Sequence, residues 1–95
     1  MKEDLKTNKI RLAKLLSARK LMRVPLDFFF PYHTAYPGTP PEGLGFQLWS
    51  FVLKGSPISP VFDTEEDLYD WCASNATTFG FLKATSDEWR ELLNE

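Results

Sequence analysis

The sequence predicts an α+β domain: a long N-terminal amphipathic helix, a Pro- and aromatic-rich irregular segment, a small two- to three-stranded antiparallel sheet and two C-terminal helices. Three observations point there. Apolar residues recur near a period of 3.6 between residues 3 and 22, one aromatic-rich apolar run lies between Gly45 and Gly55, and two helix-start signatures follow it. With 95 residues and 43% hydrophobic content, the chain suits a single domain, residues 1–95, with one modest core.

The first element spans residues 3–22. Leu5, Leu12, Leu15, Leu16 and Met22 form its stripe, broadened by Ile10 and Leu21, with no Gly or Pro in between. Thr7, Asn8 and Ser17 are its weak points, because short polar side chains compete for the backbone. It should stop near Arg23, because Val24 precedes Pro25 and is driven toward extended geometry.

Residues 24–45 hold five prolines, three glycines and five Phe or Tyr. The prolines forbid a long helix or a central strand, and the rings argue against a solvated linker. The expectation is an ordered irregular segment laying Phe28, Phe30, Tyr32 and Tyr36 across the core.

Residues 46–53, "FQLWSFVL", read as a strand with apolar groups on both faces, and hence central or covered on both sides. Phe46, Leu48 and Val52 share one face; Trp49, Phe51 and Leu53 share the other. Ile58 to Phe62 reads as a second short strand, which Pro57 and Pro60 place at an edge or bulge. The next helix is capped by Asp63 or Thr64, with Glu66 or Asp67 as box partner, and ends near Ser74–Asn75. It presents Leu68, Trp71 and Cys72 on one face. "TTFGFLKA" is a short extended piece, and a last helix opens at Thr85 or Ser86 with Glu88 as box partner, burying Trp89, Leu92 and Leu93. The β–β–α–α unit thus occupies residues 46–95.

The net charge of −2 conceals a split. Residues 1–23 carry eight Lys or Arg against Glu3 and Asp4, a net of +6, and the other 72 residues net −8. Such asymmetry suggests an electrostatic partner. Lys6, Lys9, Lys14, Arg19 and Lys20 are the candidate partner face of the basic helix. Three occupants fit: an acidic protein, a nucleic acid, or the acidic body of the same chain or of a second copy.

Catalysis finds little support. No Gly-x-Ser-x-Gly elbow or phosphate-cradling loop occurs, and His33 has no identifiable base partner. The single cysteine, Cys72, forms no internal disulfide, and one Cys with one His makes no metal set. The expectation is a chain that is not an enzyme and uses no cofactor or metal. The N-terminus alternates charged and apolar residues, unlike a signal peptide, and no apolar run approaches the roughly 20 residues that span a bilayer. A cytoplasmic location without membrane contact is therefore expected.

"GSPISPVF", residues 55–62, is the most distinctive stretch. Proline fixes φ and removes amide donors, so Pro57 and Pro60 stiffen the backbone while Ser56 and Ser59 keep their hydroxyls. One reading is a stiff connection; the other is a wall of a pocket completed by Gln47 and Trp49. The candidate ligand- or partner-binding residues are Arg23, Asp27, Gln47, Trp49, Ser56 and Ser59.

"RVPLDFFFP" (23–31), "PPEGLGFQLW" (40–49) and "GSPISPVFDTEEDLYDWC" (55–72) resemble short, uncharacterised proteins encoded by bacteriophages and prophages. The resemblance covers about three quarters of the chain and leaves residues 1–22 outside it. It departs where many such proteins carry a Cys-rich insert, replaced here by "YHTAYPGT", where "SFVL" (50–53) makes the central strand more apolar, and at Phe29, which stands where an acid is common. The resemblance implies a non-enzymatic accessory protein that binds a host protein, such as a defence component, in the host cytoplasm. The alternatives are sequestration of a small nucleotide-like ligand and nucleic-acid binding by the basic helix.

Overall fold

The computed structural model describes residues 18–52, 54–78 and 82–94. Strand β1 is Arg19–Val24, β2 is Gly45–Ser50 and β3 is Ser56–Pro57; helix α1 is Glu65–Asn75 and helix α2 is Ser86–Leu93. The strands form one antiparallel sheet in the order β1-β2-β3, which places β2 at its centre. The chain is an α+β protein.

The long N-terminal helix requires correction. Residues 1–17 lie outside the described residues, and residues 19–22, expected to finish that helix, belong to strand β1, together with Arg23 and the extended Val24. Leu21 pairs with Leu48, Met22 with Gln47 and Val24 with Gly45. Helix propensity in "RKLMRV" is worth only tenths of a kcal/mol per residue, and full pairing against the central strand outweighs it. Arg19 and Lys20 therefore stand on a strand; Lys6, Lys9 and Lys14 lie outside the described residues.

β2 is buried on both faces, as its sequence requires. On one face Leu48 enters the main core with Leu68, Tyr69, Cys72, Ala84, Trp89 and Leu92, and Leu21 and Phe46 pack against it. On the other face Gln47 and Trp49 lie beneath the irregular segment 25–44. Phe28 and Tyr36 contact the Trp49 ring at centroid distances of 6.4 and 5.8 Å, and Phe30 meets Tyr36 at 4.8 Å. The molecule thus has three layers: helices, sheet and an aromatic strap. Tyr32, expected in the core, is half exposed.

Two glycines make the strap fit. A Cβ on Gly43 would lie 2.3 Å from the Pro25 backbone, and one on Gly45 would lie 2.4 Å from Val61 Cγ1. The strap therefore leaves β1 and returns into β2 by crossing itself at contact distance.

Both helices start within the expected window, α1 on Thr64, the weaker of its two candidate caps, and α2 on Thr85. Thr64 Oγ1 accepts from Asp67 N at 3.1 Å, and Glu65, Glu66 and Asp67 complement the positive helix end. Thr85 and Glu88 form a complete capping box at 3.0 and 3.2 Å. Ser86 Oγ donates to Asp70 Oδ1 at 2.7 Å, and Arg90 binds both Asp87 and Glu66, tying the helices together. Burial pushes the Cys72 thiol up to about 12 despite the nearby Arg19 charge, which makes it an inert core group. Trp71 is half buried, packing on Phe62 rather than in the core centre.

Candidate binding surface

The second strand is displaced from its expected position. β3 covers Ser56–Pro57, and farther on only Phe62 returns to β2, in an isolated bridge with Phe46. Ile58 N donates to Leu48 O at 2.9 Å, and Phe46 and Phe62 exchange bonds of 2.7 and 2.8 Å. Between those points β2 supplies only Gln47, whereas the opposite chain supplies Ser59, Pro60 and Val61. This is a bulge, and it would orphan Leu48 N–H and Ser59 C=O.

Side chains close both gaps. Leu48 N donates to Ser59 Oγ at 2.9 Å, and Gln47 Nε2 donates to Ser59 O at 2.7 Å. Gln47 Oε1 then accepts from Trp49 Nε1 at 2.8 Å, and Ser59 Oγ donates to Pro60 O at 2.8 Å. Gln47, Trp49 and Ser59 are all buried. The structure brings these three candidates together, and their polar atoms are spent on one another and on the bulge rather than turned toward a ligand.

The prolines follow the same logic. Residue 57 faces Trp49 in the ladder, and Trp49 directs its backbone toward β1, so the missing amide of Pro57 points away from β2. Its carbonyl accepts from His33 N at 2.8 Å, and Gly55 O accepts from Tyr36 N at 2.9 Å. The strap therefore covers the outer edge of β3. His33 makes that contact from a left-handed backbone, φ 60°.

The remaining candidates are dispersed. Ser56 is half buried opposite Ser50 and lines an open depression with His33, Val52 and Lys54. Arg23 stacks 4.0 Å from the Phe46 ring centroid and donates to Leu44 O and Gly45 O at 3.1 and 3.2 Å. Asp27 is exposed in the turn closed by Phe28 N donating to Pro25 O at 2.9 Å.

That turn presents what the sequence reading overlooked. Phe29 is 80% exposed, Leu44 72% and Leu26 53%. Phe29 and Leu26 border a shallow groove of about 250 Å³ with Asp27, Tyr32, Pro60 and Val61. The signal was "DFFF": three rings in a row cannot all face inward from an extended strap, so the middle one must turn out. Phe29 thus stands exposed between two packed rings.

Among the described residues no cluster of three or more His, Cys, Asp or Glu is arranged to hold a metal ion, and no helix is long and apolar enough to cross a membrane. Comparisons with protein-family models, curated proteins and solved structures give no match.

Proposed function

We propose that this chain is a non-enzymatic accessory protein of the phage or prophage type, which acts by docking a host protein such as a defence component. The observation that carries the reading is Phe29, 80% exposed beside Leu26 while Phe28 and Phe30 are packed on Tyr36. Apolar groups at one corner with Asp27 at the rim match the anatomy of a protein interface. The resemblance of "GSPISPVFDTEEDLYDWC" to phage proteins supports the phage-type part of the assignment, whereas Phe29 departs from the acid common at that position.

The test is affinity capture from a bacterial lysate with the wild-type chain and a Leu26→Ser, Phe29→Ser variant. Both side chains are exposed, so the variant should melt within about 0.5 kcal/mol of wild type. A protein held by the wild type should be lost from the variant. Equal capture by both chains, or no reproducible capture, rejects the reading.

A further inference from the structure

We propose that the outer edge of β1 accepts an extended acidic segment of a partner protein as a fourth strand of the sheet. The two edges of the sheet differ. The β3 edge is taken up by His33 and Tyr36 of the strap. Among the described residues, none pairs with the outer edge of β1.

The register identifies the groups on offer. Phe51 N donates to Ala18 O at 2.8 Å, so in the antiparallel ladder residues 18, 20, 22 and 24 bond toward β2. Leu21 and Arg23 therefore direct their N–H and C=O groups outward, spaced as an added strand needs them. A groove of about 450 Å³ runs beside this edge, lined by Ala18, Lys20, Leu21, Phe51, Leu92 and Leu93. It provides an apolar seat next to Leu21.

Charge selects the occupant. Lys20 Nζ lies 5.6 Å from the Phe51 ring centroid, while Arg23 contacts a ring and two carbonyls. Neither cation is paired with a carboxylate among the described residues. A second copy of β1 laid antiparallel about Leu21 would set Arg19 against Arg23, and like charges directly opposite destabilise a sheet. Residues 1–17 of the chain itself carry five Lys or Arg against two acids, so they are no better matched. An acidic strand matches. With an apolar residue opposite Leu21, an antiparallel strand places acids opposite Arg23 and Lys20. The recognised pattern is acid–x–apolar–acid, and the reverse order in a parallel strand.

This surface is separate from the Phe29 corner and is tested separately. The probes are fluorescein-labelled Thr/Val peptides of twelve residues with a central Leu, bearing either Glu or Lys at the two charged positions. A third peptide is the Glu form N-methylated at the Leu and at the positions two residues on either side. With the full chain, the Glu peptide should raise polarisation and slow amide exchange at Leu21 and Arg23. The Lys peptide should bind at least about tenfold more weakly, and N-methylation should abolish binding. Lys20→Glu, which leaves the Arg23 contacts in place, should weaken the Glu peptide several-fold and strengthen the Lys peptide; a melting curve confirms that it folds. Phe29→Ser should leave peptide affinity unchanged. Equal affinity for both peptides, no binding of either, binding that survives N-methylation, or self-association that buries the Leu21 amide would overturn the proposal.

Discussion

Leu48 and Trp49 are neighbours in sequence, yet the two sides of β2 they occupy are closed by different kinds of chain. Leu48 meets two helices, whose backbone hydrogen bonds are satisfied within themselves. Trp49 meets a strap and a bulge that have no such internal ladder. The polar accounting runs opposite to what that contrast suggests. On the strap side every polar atom of the Gln47–Trp49–Ser59 set is bonded. On the helix side Tyr69 Oη and Trp89 Nε1 are buried without a partner among the described residues. Irregular backbone has to be satisfied by particular side chains, whereas the helix-covered core carries unpaired polar atoms at a cost in stability. The strap side therefore depends on residue identity, and the helix side on volume.

Three substitutions put this contrast under strain. Trp49→Ala removes the ring on which Phe28, Tyr36 and Phe51 converge and frees Gln47 Oε1; it should cost about 3–5 kcal/mol in urea unfolding. A loss below about 1 kcal/mol would mean the strap is held by something else. Gln47→Leu keeps the volume but orphans Ser59 C=O and Trp49 Nε1, with an expected loss of about 2–4 kcal/mol by the same measurement. A neutral result would show that the bulge does not need its amide. Tyr69→Phe is the counterpart across the sheet. It deletes a hydroxyl without a partner, whose phenol burial and the Glu65 charge already hold above its ordinary pKa. It should stabilise the fold by about 1 kcal/mol; destabilisation would put the two faces on equal terms.

Much of this arrangement was legible in the sequence. The two-sided apolar character of residues 46–50 announced a covered central strand, and Thr85 with Glu88 announced a box that the structure reproduces. The proline count marked the strap. Local chemistry dictated each of these. β1 escaped because "RKLMRV" is composed of helix formers, and only pairing with residues far along the chain makes it a strand. The left-handed backbone of Ala18, φ 54°, has no sequence signature because alanine seldom adopts it. The candidate site was half legible. Gln47, Trp49 and Ser59 do converge, as the motif suggested, but whether a hydroxyl faces a ligand or a bulge depends on a register that only the folded sheet defines.

The proline at position 57 has a consequence beyond its own loop. Its ring nitrogen and the His33 contact shut one border of the sheet, leaving β1 as the single border with outward-facing backbone groups among the described residues. Fibrous stacking needs two live borders, one to receive and one to offer. On the proposed docking at β1, the closed β3 border offers no place for a further strand, so uptake would stop at one strand per molecule.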